Sequence, residues 1–346
     1  MSIASSRTPF SALGKESTTT EALRASVSDA EARVNEVTGA ASQRARPLDL
    51  SGRVVLLAAD GSEGSAAGAH IALALAARYH ATIRVVSVVD TRTAPILPPL
   101  DMALAMTDDI VGAGVHEEQQ REVRAALSAA TARPIDWPVR IMLGTPANSI
   151  VREARRVGAI LMIVGLRRHG RLERAMQDET SLNVMRNASC PVLGIIPGTT
   201  ALPRRVLGAI DFSETSLIAA RTAGAVVGED AEFVLAYVAP LTGRLPDDGE
   251  SVIHDLGVQA GFARTMRHLE EEGITLKHVV LHRRAAGTPA DALLEYAEAT
   301  ASDLVAAGSA RHGRVERWML GSVSTDLVRD GRRSVLIVPP RDPVRR

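Results

Sequence analysis

GTPANSIVREARRVGAILMIVGLRRHG, residues 144–170, returns as GTPADALLEYAEATASDLVAAGSARHG, residues 287–313. Gly144-Thr145-Pro146-Ala147 aligns with Gly287-Thr288-Pro289-Ala290, an offset of 143 residues (144 to 287). Arg168-His169-Gly170-Arg171 meets Arg311-His312-Gly313-Arg314 at the same offset, as does Glu173-Arg174 with Glu316-Arg317. The first window reads as a helix over 146–157, a short apolar strand over 159–164 and a glycine-bearing loop over 165–178. An offset shared across a whole helix–strand–loop block marks a duplicated unit.

Working outward, the alternation continues. Val54–Ala59 is a short apolar run ended by Asp60-Gly61-Ser62, and an Ala/Leu-rich helical stretch follows through Tyr79. Thr82–Val89 is β-branched and strand-like. A loop with Pro95, Pro98 and Pro99 leads to a helix over 110–131 and a strand over 137–143. After the repeated window come a helix to Ala188 and a strand over 191–196. Strands that are apolar throughout and alternate with helices predict a parallel sheet covered on both faces. The pattern restarts near Arg205. Asp211 aligns with Asp60 at an offset of 151 residues (60 to 211), which predicts a shorter loop between second strand and second helix in the later copy. The fold class is α/β: two tandem doubly wound domains with five-stranded parallel sheets, over 51–197 and 204–340. A linker runs from about Pro197 to Pro203. Residues 1–50 are rich in Ser, Thr, Ala and Arg and poor in apolar runs. They predict a mobile N-terminal arm, with Ser17-Thr18-Thr19-Thr20-Glu21 offering a cap to a short helix reaching Val37.

Composition narrows the function classes. In 346 residues, 40 Lys+Arg balance 40 Asp+Glu, which argues against a nucleic-acid binder working through a general basic field. Aromatic residues make up 3%, too few for base-stacking platforms, so the core is aliphatic. Lys15 and Lys277 are the only lysines. The single Cys190 makes neither an intrachain disulfide nor a thiolate-rich zinc site and fits a reducing compartment. The first residues carry no apolar signal core, and no stretch approaches the ~18 apolar residues of a membrane span. The expectation is a cytoplasmic protein with no membrane or nucleic-acid partner.

In an open parallel sheet, ligands sit beyond the carboxyl ends of the strands. Those ends carry Asp60-Gly61-Ser62 and Asp211-Phe212-Ser213 after the first strands. After the fourth strand of the second copy stand Gly308-Ser309-Ala310-Arg311-His312-Gly313 and, seven residues on, Gly321-Ser322-Val323-Ser324. Glycines let backbone approach a phosphate, and a helix start presents free N–H groups to an anion. Ser322 and Ser324 offer hydroxyl donors; Arg311 or His312 offers positive charge. The plain alternative is that Gly321-Ser322 is only a turn and a helix cap.

These features resemble the universal stress protein (UspA-type) family, twice over, from about residue 53 to 340. The resemblance rests on Asp-x-Ser after the first strand, Gly-x-Pro-Ala before the third helix, and Gly-x2-Gly-x9-Gly-[Ser/Thr] after the fourth strand. It implies ATP binding, with Mg accompanying the nucleotide. It places Asp211 beside adenine, Val238 in the adenine pocket, and Gly308, Gly313, Gly321, Ser322 and Ser324 around ribose and phosphates. Ile210, Ser309, Arg311, His312 and Val323 complete the nucleotide-binding set. Arg311 stands where the family pattern has its second glycine. In the first copy Arg168 takes that place, and Asp178-Glu179 replaces Gly-Ser. Two carboxylates at a helix start repel a triphosphate, so binding is expected in the C-terminal copy. Family members pair their fifth strands between subunits. Here the apolar edges Val192–Ile196 and Val335–Val338 are expected to pair antiparallel within the chain, giving a pseudo-dimer.

No other constellation competes. The nine histidines form no H-x3-H or H-E-x-x-H array; His278 and His282 share a strand face with no carboxylate or thiol nearby in sequence. Cys190 lacks a base partner. Asp60 and Asp211 are possible general bases whose commoner role is to orient a loop. The serine elbow and the Gly-Lys-[Ser/Thr] phosphate loop are absent. The expectation is a non-enzymatic, cytoplasmic regulatory nucleotide-binding protein of the stress response. Its partners are an adenine nucleotide, a protein the sequence leaves open, and a second copy in a homodimer. The alternatives are a slow ATPase or nucleotide hydrolase, and a nucleotide-free protein-interaction pseudo-dimer.

Overall fold

The computed structural model describes residues 48–90, 111–166, 179–228, 230–240, 249–282, 284, 286–309 and 320–340. The first copy contains β1 (Val54–Ala58), α1 (Glu63–Tyr79), β2 (Thr82–Asp90), α2 (Val111–Thr131), β3 (Val139–Gly144), α3 (Pro146–Val157), β4 (Leu161–Gly165), α4 (Glu179–Asn187) and β5 (Val192–Ile195). The second contains β6 (Arg205–Ala209), α5 (Glu214–Val226), β7 (Glu232–Ala239), α6 (Gly249–Glu270), β8 (Leu276–His282), α7 (Pro289–Ala299), β9 (Leu304–Gly308), α8 (Ser322–Asp330) and β10 (Ser334–Val338). The arm expected over 1–50 lies outside the described residues through 47. Leu50, its last part, is wholly buried.

All ten strands form one sheet in the order β3-β2-β1-β4-β5-β10-β9-β6-β7-β8. Within each copy neighbouring strands are parallel; at the centre β5 and β10 run antiparallel, pairing Gly194 with Val335, Leu193 with Leu336 and Val192 with Ile337. The expected edge pairing is therefore present. Burial explains it: β5 and β10 are buried along their whole length, and an apolar edge left open would recruit another chain.

Alternate strand residues feed two cores, as a parallel sheet covered on both faces requires. Leu57, Ile163 and Leu193 join Ile71 and Leu75 of α1, Leu127 of α2, Leu217 of α5 and Phe262 of α6. Leu56, Met162 and Val192 join Ile150 of α3, Val184 of α4, Leu293 of α7 and Leu327 of α8. Each core draws on both copies, so neither copy closes its interior alone. On the α1/α5 face, Arg78 Nη1 donates to the Val227 carbonyl at 2.5 Å, tying the helix ends of the two copies. The predicted loop difference is also present: β2 ends at Asp90 and α2 begins at Val111, whereas β7 ends at Ala239 and α6 begins at Gly249.

Candidate functional site

At the carboxyl end of β6 the chain must turn into α5. The Asp211 carboxylate accepts from the Ser213 N–H at 3.0 Å, and Ser213 Oγ accepts from the Ser216 N–H at 3.2 Å, capping the helix. Ser216 Oγ donates back to the Ser213 carbonyl at 3.0 Å. Asp211 thus orients the loop while staying exposed at the rim. Between these residues Phe212 holds φ 61°, the left-handed region. Its ring stacks on Tyr237 and meets Phe262 edge-on, each at 5.3 Å between centroids, and Phe262 lies 4.4 Å from the His278 ring. Burial, aided by the Asp211 charge, pushes the Tyr237 phenol above its ordinary range.

Two further helix starts meet this loop. Thr288 and Asp291 form a reciprocal capping box on α7 with Pro289 in its first turn, and backbone and side-chain bonds from Thr288 hold Asp291 below the usual carboxylate range. α8 is different. Its cap residue is Gly321, at φ −61° and ψ 160°, which has no side chain to accept from the first turn. The leading N–H groups of α8 therefore lack the capping acceptor that α5 and α7 possess.

The three helix starts and the ends of β6, β7 and β9 surround a cavity of about 210 Å3. Its apolar lining includes Ala209, Ala236, Val238, Leu293 and Ala307; Asp211, Ser213, Thr215 and Ser322 supply polar atoms. Of the residues singled out from sequence, Ile210, Asp211, Val238, Gly308, Gly321, Ser322, Val323 and Ser324 all line this cavity. Ser309 does not: it is buried, and its N–H donates to the Val338 carbonyl at 2.8 Å. Arg311, His312 and Gly313 lie outside the described residues, as do Arg168 and Asp178 of the first copy.

One role is corrected. Ser324 is 2% exposed and its hydroxyl donates to the Gly308 carbonyl at 3.3 Å, so that proton is already spent. Ser181 makes the same bond to the Gly165 carbonyl at 3.1 Å, so both copies use it to fasten helix to strand. Gly308 also has a packing reason to be glycine, because a Cβ there would lie 2.8 Å from the Thr215 backbone. Thr215 and Leu293 were missed, and Ser213 and Pro289 were read only as parts of their motifs. The repeated Gly-Thr-Pro-Ala motif held the clue for Pro289; Leu293 and Thr215 are ordinary helix residues whose place only the packing reveals.

Among the described residues, no three or more His, Cys, Asp or Glu side chains converge as metal ligands. Burial pushes the Cys190 thiol up to about 12, so it stays protonated and unreactive at neutral pH. No described helix is long and apolar enough to cross a membrane.

The sequence profile of the Universal stress protein family matches residues 52–195 and again 203–339. A universal stress protein of Methanocaldococcus jannaschii is 26% identical over 139 residues, spanning 40% of this chain and 79% of that protein. The crystal structure of a universal stress protein from Archaeoglobus fulgidus DSM 4304 covers 83% of this chain and 98% of its own at 22% identity, with a TM-score of 0.57. A functionally unknown protein from Pseudomonas aeruginosa PAO1 covers 83% of this chain and 92% of its own at 15% identity, with a TM-score of 0.50.

Proposed function

The chain belongs to the universal stress protein family, and from that premise we propose that its C-terminal copy binds one adenine nucleotide, ATP, as a cytoplasmic regulatory protein of the stress response rather than an enzyme. The observation that carries this reading is the uncapped start of α8 opening onto a cavity with an apolar floor. A helix start without a side-chain acceptor offers N–H donors and a positive dipole end to phosphate. The floor of Val238, Ala236 and Leu293 suits the flat face of a base. At about 210 Å3 the cavity is smaller than the ~300–1,000 Å3 of pockets that enclose a whole ligand. It takes the base with part of its sugar, and the phosphates extend over α8, where Ser322 is exposed. Mg, when present, rides on the phosphates.

Binding without turnover is supported by the lining. Among the described residues there, Asp211 supplies the carboxylate, and it already accepts from Ser213. Ligand binding would hold the α8 start against the β9 end and alter the surface around it, which is the regulatory output.

Calorimetry of the full chain with ATP tests this. The expected stoichiometry is one per chain, with affinity in the micromolar range, about −8 kcal/mol. Gly321→Asp should abolish the heat, since it adds a side chain and a charge at the α8 start. Asp178→Gly with Glu179→Ser should not create a second site. Two sites per chain, full binding by Gly321→Asp, or steady phosphate release from ATP would overturn the reading.

A further inference from the structure

The helix layer over the β5/β10 side that carries α3, α4, α8 and α7 is symmetric inside and antisymmetric outside. At the 143-residue offset the buried faces of α3 and α7 match almost residue for residue: Ala147 with Ala290, Ile150 with Leu293, Val151 with Leu294, Ala154 with Ala297. Two exposed positions invert: Arg152 corresponds to Glu295 and Arg155 to Glu298, while the neutral Asn148 becomes Asp291, and all six are exposed. Divergence for solubility alone has no reason to reverse the sign at two equivalent positions on the same helix face while keeping the inner face apolar and nearly the same in size.

Pairs within the chain leave each ridge its sign. Around α3, Arg140, Arg152, Arg155 and Arg156 stand against Glu153, which Arg156 and Arg140 approach at 2.6 and 3.5 Å while remaining half exposed. Around α7, Asp291, Glu295, Glu298 and Asp330 stand against Arg284 and Arg332. Those arginines reach Glu295 at 3.4 Å and Glu298 at 2.9 Å, with both glutamates more than half exposed.

We infer that this face docks a second copy of the chain. The internal pseudo-two-fold, passing between Leu193 and Leu336, places α3 and α7 as the outer helices of the layer. A second chain turned over about an axis along the central strands brings its α7 opposite α3 and its α3 opposite α7. The helices then run antiparallel, and Asp291 approaches the arginine-bearing end of α3. Turning it about the other in-plane axis stacks like on like. Charge selects the first arrangement and closes a symmetric dimer. Arg186 and Arg329, equivalent positions on α4 and α8, carry the same sign and do not discriminate. Because the attraction is between exposed groups, the dimer is weak and salt-sensitive.

Sedimentation equilibrium of the full chain at low and high salt is the measurement. The wild type should dimerise at low salt, with the dissociation constant rising at least tenfold by about 0.5 M salt. Arg152→Glu with Arg155→Glu, and separately Glu295→Arg with Glu298→Arg, should each be monomeric. Mixed together they should form a one-to-one heterodimer, and the chain carrying all four swaps should regain the homodimer. Thermal unfolding identifies any variant that fails to fold. The mixture and the four-fold swap decide the matter when one of the double variants does so. A wild type that stays monomeric, dimers indifferent to the swaps, or a mixture that remains monomeric overturns the inference.

Discussion

The turn after β1 and the turn after β6 share a backbone and differ in what fills it. Ser62 donates to Asp60 at 3.0 Å as Ser213 does to Asp211, Ser62 and Ser213 each cap the next helix, and both loops place their middle residue in the left-handed region. In the first copy that residue is Gly61 at φ 77°; in the second it is Phe212 at φ 61°. Two residues into the helix, Gly64 lies against Gly165 and the Leu166 carbonyl, so tightly that a Cβ on Gly64 would sit 2.6 Å from that oxygen. Thr215 holds the equivalent place in the second copy and lines the cavity. Duplication kept the hydrogen-bond frame and the close approach: a Cβ on Gly165 would lie 2.5 Å from the Gly64 backbone, and one on Gly308 2.8 Å from the Thr215 backbone.

The largest test of that difference is to give the first copy the second copy's residue. Gly64→Thr should destabilise the protein by about 2–3 kcal/mol, the cost of forcing extra atoms into a packed contact. The reverse change, Thr215→Gly, should cost less than about 1 kcal/mol, since threonine is itself a poor helix former and glycine is only a few tenths worse. Urea unfolding measures both. If Gly64→Thr is neutral, the first copy has room for that side chain.

Phe212→Gly comes next. It relieves about 1 kcal/mol of left-handed strain and forfeits the packing on Tyr237 and Phe262, worth about 3 kcal/mol for a large aromatic. The net loss should be about 2 kcal/mol by the same unfolding measurement. A stabilised variant would show that the ring contributes nothing to the fold.

Glu153→Gln should cost about 1–2 kcal/mol, reduced from a fully buried pair because Arg156 and Arg140 are half exposed. The Arg156 hydrogen bonds, with the nearby arginine charges, hold the Glu153 carboxyl below the usual range. A lowered carboxylate contributes stability that is present above its unfolded value, about 4.3, and lost as pH falls through the folded value. Tyr296 occupies the equivalent position in the second copy. The stability difference between wild type and Glu153→Gln should therefore shrink below about pH 4, and a pH-independent difference would remove the charge from the explanation.

The smallest effect is spectroscopic. Tyr237 should ionise above the ordinary phenol value of about 10 in an ultraviolet titration. Asp211→Asn should lower that midpoint only in part, because burial is the larger cause. A midpoint unmoved by the substitution would separate Asp211 from Tyr237 electrostatically.

Much was legible in the sequence because it was written locally. The alternation of apolar runs with helical stretches gave the strands and helices to within a few residues, and the 143-residue offset exposed the duplication. The apolar runs at 191–196 and 334–338, together with the edge pairing that the family resemblance implies, predicted the β5–β10 pairing. Glycine and serine at the α8 start identified one wall of the cavity, Gly321, Ser322, Val323 and Ser324. Ser324 misled because a hydroxyl near a helix start looks like a donor to a ligand, and only the fold shows the Gly308 carbonyl within its reach.

What the sequence alone determined was periodicity and repetition, properties of neighbours along the chain: the α/β class, the two copies and the edges that must meet. Tertiary structure decided what depends on distances between segments far apart in sequence. It brought Thr215 against Gly308 at the end of β9, shared both cores between the copies, and ran Arg78 across to Val227. It also placed the inverted charges of α3 and α7 on one layer. The physical reason is that packing and electrostatics act through space, while a sequence records only order.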